Sequence, residues 1–290
     1  METVSVDKDR CTLCGLCIQV CGRGVLVERD ETIRVTDSAL CNLCGHCKAV
    51  CPENAPQLPS LNAEEFSPTP SADSLPKPDQ LVALFHSRRS TRIYQRRAVE
   101  GEKLERVLHA GRFAPSGGNR QPLQYVVLQS QERIAAVREI AISALGKRAH
   151  RIQEEIERKR EGGEVLSMTD QVLQTYAEMW LSMLDLFKQG TDRLFYHAPV
   201  VVICHGSPAI ATLEVDAGLA AMQMVLMAEA IGLGTCLCHF LVYAIEESPD
   251  LRQALQISED NKVVLSFMTG YPDVTFTRLV ARNPLKVNWL

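Results

Sequence analysis

Cysteine is where this sequence concentrates its chemistry. Eleven cysteines occur in 290 residues, and eight of them fall between Cys11 and Cys51. They form two copies of one unit, Cys11-Thr-Leu-Cys-Gly-Leu-Cys-Ile-Gln-Val-Cys21 and Cys41-Asn-Leu-Cys-Gly-His-Cys-Lys-Ala-Val-Cys51, thirty residues apart. Leu, Gly and Val recur in step at positions that metal binding does not require, which marks an internal duplication. Each copy reads C-x2-C-x2-C-x3-C. Three thiolates at this spacing curl around one iron–sulfur cubane, and the fourth, leaving on a helix, faces the other way. Structural zinc is the competing use, but it would show paired C-x2-C knuckles with a longer spacer between them. Gly15 and Gly45 lie inside the loops, where backbone must approach inorganic sulfide closely.

Residues 1–55 resemble a two-cluster bacterial ferredoxin. In such runs the fourth cysteine serves the other cluster. The resemblance therefore implies one [4Fe–4S] cluster on Cys11, Cys14, Cys17 and Cys51, and a second on Cys41, Cys44, Cys47 and Cys21. The second run continues into Pro52 as the pattern asks, whereas the first continues into Gly22. One-electron transfer between close neighbours is the implied role. The segment is also short of large apolar side chains, so a staple other than a hydrophobic core is expected.

Composition excludes several other classes. A net charge of −4 and a pI near 6.0 leave no basic face for a polyphosphate backbone, so nucleic acid is not expected as a ligand. The longest apolar stretch, 215–233, is interrupted by Asp216, Gln223 and Glu229 and reads as a buried helix rather than a membrane span. The first residues carry neither a basic n-region nor an apolar h-region, so a reducing, cytoplasmic location is expected.

The elements that must position this chemistry follow in order. Residues 56–80, with prolines at 56, 59, 68, 70, 76 and 78, read as a semi-extended linker or wrapped arm long enough to reach a partner subunit. From residue 81 to 290 helices and strands alternate. Helices are expected over 81–87, 100–113, 131–145, 148–160, 168–188 and 215–231, the last closed by Gly232 and Gly234 as caps. Strands are expected over 124–128, 199–204 and 262–268. Three domains result: a ferredoxin-like segment 1–55, a linker 56–80 and a mixed helix–sheet domain 81–290.

Three further motifs bear on a ligand. Arg88-Arg89-Ser90-Thr91-Arg92 offers guanidinium forks and hydroxyls suited to a phosphate monoester, although a basic pentapeptide equally suits a solvated face. Ala114-Pro-Ser-Gly-Gly-Asn-Arg-Gln-Pro122 is either a plain helix-to-strand turn or a loop that presents N–H groups and Asn119 to a polar heterocycle. Gly232-Leu-Gly-Thr-Cys-Leu-Cys238 follows the apolar helix. With the late Gly270-Tyr-Pro272, these form an ordered set that resembles the nitroreductase family of FMN flavoproteins across 81–290.

That resemblance implies an α+β homodimer, a sheet flanked by helices that are exchanged between subunits, with FMN at the interface. By matched position, Arg88, Arg89, Ser90 and Arg92 would hold the phosphate. Pro115, Ser116 and Asn119 would line the isoalloxazine, with the backbone of Leu237 and Cys238 opposite. A late arginine completes the phosphate site, with Arg282 matching best and Arg278 the second candidate. Leu123, where Trp is common, and Cys238-His239-Phe240 depart from the pattern on the substrate side. Cys204 and Cys236 read as small buried hydrophobes, and Cys238 as either that or a redox thiol. Tyr176 and Trp180, one helical turn apart, mark either a core stripe or a wall of the substrate site. No catalytic acid is compelled.

The expected activity is a flavin-dependent oxidoreductase in which two [4Fe–4S] clusters exchange electrons with FMN, which reduces a small nitroaromatic, quinone or enone acceptor. The donor would be reduced ferredoxin or NAD(P)H. The alternative is a non-catalytic redox relay or sensor passing electrons between protein partners.

Overall fold

The computed structural model describes residues 3–290. The chain divides into two compact units, Met1–Pro76 with Gly118–Arg120, and Lys77–Gly117 with Gln121–Leu290.

In the first unit, β1 (Ser5–Val6) is followed by α1 (Leu16–Gln19), the hairpin β2 (Leu26–Arg29) and β3 (Thr32–Val35), then α2 (His46–Val50) and β4 (Pro56–Gln57). The duplication in sequence is a duplication in backbone. Leu13 and Leu43 have φ of 56° and 53°, and Gly15 and Gly45 have φ of 75° and 76° immediately before α1 and α2. β1 pairs antiparallel with β4, setting Val6 opposite Pro56. Two small apolar clusters form the core, one around Val4, Val25 and Leu58, the other around Cys17, Leu26 and Ile33. Pro56, Gln57 and Leu58, read above as the start of a linker, are thus packed residues. Proline is tolerated there because the strand lies at an edge.

The second unit runs α3 (Pro78–Ser87), α4 (Gly101–Arg112), β5 (Gln124–Leu128), α5 (Gln131–Glu161), α6 (Met168–Lys188), β6 (Val200–Gly206), α7 (Leu213–Ala230), β7 (Gly234–Leu237), α8 (His239–Glu247), α9 (Pro249–Ala254) and β8 (Lys262–Gly270). The strands form one sheet in the order β5-β6-β8-β7 with every pair antiparallel. β6 is buried throughout, and its period of two sorts its side chains between layers. Val201 and Ile203 join a core with α5, α6 and α8, whereas Val200, Val202 and Cys204 join a core with α4 and α7. The result is a sheet flanked by helices on both faces, the α+β class expected.

Several element boundaries differ from the sequence reading. The two helices expected over 131–145 and 148–160 are one helix, α5. Gly146 does not break it: a Cβ there would come within 2.9 Å of Leu184, so the glycine lets α6 approach. Gly232, with φ of 79°, ends α7 as expected, but Gly234 opens β7. α8 and α9 were not foreseen. No helix among the described residues is long and apolar enough to cross a membrane.

Candidate functional site

The cysteine loops come first. Cys11, Cys14, Cys17 and Cys51 line one cavity of the first unit together with Gly15 and Ile33. Burial, then the neighbouring Cys11, Cys51 and Cys14 thiolates, raise the Cys17 thiol above its ordinary range, as expected of sulfurs held close together. Cys21, Cys41 and Cys47 pack against the other apolar cluster, beside Leu43, Leu61 and Phe66. The fourth cysteine of each run is held alike: Val25 N–H donates to Cys21 Sγ and Ala55 N–H to Cys51 Sγ, each at 3.4 Å. All eight thiols are free of disulfides. Among the described residues no three Cys, His, Asp or Glu side chains converge on a site for a single metal ion. A ring of four thiols around a cavity, with a left-handed glycine giving close backbone approach, fits a cubane.

In the second unit, the Arg88–Arg92 segment is seated against β7. Thr91 N–H donates to Thr235 O at 2.8 Å, and Ser90 bridges Thr235 in parallel. The Thr91 side chain is buried against Gly234 so tightly that a Cβ on Gly234 would overlap it. Arg89 turns back on its own chain. Its Nη1 donates to His86 O (2.7 Å) and Arg88 O (3.0 Å), and its Nη2 to Arg278 O at 3.3 Å. Its buried Nε has no hydrogen-bond partner. Arg89 and Arg278 line one cavity of about 420 Å³ with Ser87, Thr91, Thr275 and Thr277. Such a volume is in the range of small-molecule sites, and an orphaned guanidinium N–H beside hydroxyls fits an oxyanion. Arg92 is exposed, with its guanidinium 5.9 Å from the Tyr196 ring. Arg282, the better-matched late arginine by sequence, lies in the C-terminal segment outside this cavity, its Nη1 donating to Ala281 O at 3.3 Å.

Pro115 and Ser116 line a different cavity of about 130 Å³ with Leu123, Tyr125 and Asp216. Asp216 is the anchor of this loop. It is buried at the start of α7, accepting from Gly117 N–H (3.0 Å) and Thr212 Oγ1 (3.1 Å), while Ser116 Oγ accepts from Gln121 N–H at 3.0 Å. In sequence Asp216 reads only as an interruption of an apolar run, and an acid inside such a run is the signal that points to it. Asn119 belongs to the first unit, where its Nδ2 donates to Asn42 O (3.1 Å) and Leu43 O (3.0 Å). Leu237 is 59% exposed at the end of β7.

Two alternatives left open by the sequence are resolved. Cys238 is buried, its Sγ 3.5 Å from Leu194 O, and burial pushes its thiol up to about 12, the state of an inert thiol. Burial likewise pushes Cys204 up to about 12, and Cys236 is buried. Trp180 is 1% exposed in the core and stacks with Tyr176 at 5.8 Å, so this pair is a core stripe.

Comparison with known proteins gives the family and the fold. The nitroreductase family model matches residues 86–271, and a 4Fe-4S binding domain model matches residues 4–27. A protein of Archaeoglobus fulgidus, provisionally named NADH dehydrogenase/NAD(P)H nitroreductase, is 33% identical over 61 residues, 21% of this chain. The match spans only 35% of that relative's length. Among solved structures, a nitroreductase with bound FMN from Bacteroides fragilis has a TM-score of 0.51 at 21% identity, covering 71% of this chain and 95% of that one. A nitroreductase with bound FMN from Desulfitobacterium hafniense has a TM-score of 0.52 at 19% identity, covering 71% and 97%. An iodotyrosine deiodinase bound to FMN and 3-iodo-L-tyrosine has a TM-score of 0.51 at 17% identity, covering 72% and 98%. At these identities the structures speak for the fold alone. The chain belongs to the nitroreductase family of oxidoreductases, and it carries a 4Fe-4S binding domain ahead of the family domain.

Proposed function

We propose that the chain is an FMN-dependent oxidoreductase in which two [4Fe–4S] clusters exchange electrons with the flavin, and that a small electron-poor acceptor is the substrate. The domains would be the ferredoxin-like segment 1–55, the segment 56–80, whose first residues pack on it, and the flavin domain 81–290. When bound, clusters supply electrons singly and FMN accepts them singly and releases them in pairs. Tethering makes donor and acceptor neighbours at high effective concentration.

The chain's own residues supply grip and position. Arg88, Arg89, Ser90 and Arg92 would hold the phosphate, with Arg278 in place of Arg282, because Arg278 shares the cavity with Arg89. Thr91 buttresses the segment by its bond to Thr235. Asp216 fixes the loop through Gly117, so that Pro115 and Ser116 would line the ring with the backbone of Leu237 and Cys238 opposite. Because the Arg89 and Ser116 groups line separate cavities within one chain, a homodimer that completes each site from two copies is part of the proposal. Solvent would supply the proton to substrate. Reduced ferredoxin or NAD(P)H would be the donor, a nitroaromatic, quinone or enone the acceptor, and the cytoplasm the setting.

The observation that carries this reading is the buried Arg89 Nε without an acceptor. The test is anaerobic stopped-flow. Protein is mixed separately with reduced ferredoxin and with NAD(P)H, followed by a nitroaromatic or quinone. Bleaching of flavin absorbance followed by rapid acceptor-dependent recovery is expected. Bleaching with no recovery for any acceptor would point instead to a relay between protein partners.

A further inference from the structure

The two cysteine repeats match in sequence and backbone but not in their surroundings. A Cβ placed on Gly15 would meet nothing within 4 Å, whereas one on Gly45 would meet the Phe66 ring at 3.1 and 3.2 Å and Leu61 at 3.8 Å. Gly45 is buried and Gly15 only partly so. What covers the second loop is a short segment that the first repeat lacks. Leu61 N–H closes a turn on Leu58 O at 3.0 Å, and Asn62 Oδ1 accepts from Glu64 N–H at 3.1 Å to cap a single turn, Ala63–Glu65. Phe66 follows and lands on the loop.

Lys48 anchors this cover. It is 9% exposed, follows Cys47 directly, and corresponds to Ile18 in the first repeat. Its Nζ donates to Pro56 O (3.1 Å) and Gln57 Oε1 (3.3 Å) and lies 5.7 Å from the Phe66 ring centroid. A buried ammonium is kept only where acceptors and a ring face replace water. Here the acceptors come from β4, which leads directly into the segment that covers the loop, and the ring from that segment's end.

We infer that Leu58–Phe66 is a cap that shields the Gly45 side of the second cysteine loop, and the cluster on it, from solvent, while the Gly15 side of the first loop stays open; Cys14 and Cys44 at the loop tips are alike exposed. The capped site is then the protected store of the pair and the open one the site that meets external reagents. Phe66 and Lys48 are positioning residues, acting on access rather than as ligands. The inference rests on the two-cluster reading.

The test is anaerobic release of iron to bathophenanthroline disulfonate in dithionite, with the full-length protein. Two phases of equal amplitude are expected, the slower by about tenfold, a rate ratio equivalent to about 1.4 kcal/mol. Phe66→Ala speeds the slow phase and leaves the fast one unchanged. Phe66→Leu restores most of the separation, and Lys48→Met, which releases the anchor, behaves like Phe66→Ala. A single phase in the unmodified protein, unchanged phases in Phe66→Ala, or both phases accelerated by one factor would overturn the inference. Total iron near four per chain would instead remove the two-cluster reading beneath it, so the two failures are distinguishable.

Discussion

Gly234→Ala adds one methyl group where β7 meets the Arg88–Arg92 segment. The new carbon would overlap the Thr91 side chain, with Thr91 Cβ at 2.7 Å and Cγ2 at 2.8 Å. Thr91 is 4% exposed and tied through its N–H to Thr235 O, so it has no room to turn aside. The segment must lift from the strand. Overpacking of this kind costs about 1–3 kcal/mol. For a unit of this size each kcal/mol lowers the melting temperature by about 2–4 °C, so a fall of about 2–12 °C is expected. Calorimetry of the purified protein reads the shift, and bound flavin after desalting reads the consequence, since a lifted segment carries Arg89 away from Arg278. Thr91→Ser removes Cγ2 and should recover part of both losses in the double variant, because contacting residues couple. A Gly234→Ala protein that melts with the unmodified one and keeps its flavin would refute the packing of this segment on β7.

Further outcomes follow from single residues. Asp192 accepts from Leu194, Phe195 and His197 N–H groups and from Arg138. Burial acts to raise its pKa, but these donors hold it below the ordinary 3.8. Its contribution is therefore complete above the unfolded value and is lost as pH falls below about 4 towards the depressed folded value. Asp192→Asn should lower stability at neutral pH and flatten the acid slope of a urea-midpoint profile; an unchanged slope would contradict the assignment. Asp216→Ala removes the acceptor of Gly117 and Thr212 and leaves those donors unpaired, a loss of about 1–3 kcal/mol in urea unfolding, and should weaken flavin retention with it. Cys238 and Cys204, both pushed up to about 12, should resist iodoacetamide at pH 8 until urea unfolds the chain, as mass spectrometry of the labelled peptides would reveal. Labelling of Cys238 in the folded protein would restore it as a candidate redox thiol.

The cysteine repeat was the most legible feature of the sequence, because cluster ligation depends on residue type and spacing alone. The backbone confirms the repeat in paired φ values at Leu13 and Leu43 and at Gly15 and Gly45. Strands 124–128 and 262–268 were legible from continuous apolar runs between turn residues. β7 was not: it spans four residues that begin with a glycine placed for packing against Thr91, and local sequence carries no trace of that partner. The gap expected between 145 and 148 is absent for a similar reason: Gly146 answers to Leu184 on α6, which lies far along the chain. The ground for proposing Arg278 rather than Arg282, its place in one cavity with Arg89, lies outside any local pattern, because both sit in a segment with no periodicity. The Leu58–Phe66 cap hid in composition that reads as linker; its proline and polar residues surround Leu61 and Phe66, whose target, Gly45, lies upstream.

The central claim is that one chain holds two cubanes and a flavin. Protein purified without oxygen should contain about eight iron and eight sulfide per chain, together with one FMN released on denaturation. Zinc in place of iron, or a flavin-free protein after reconstitution with excess FMN, would contradict it.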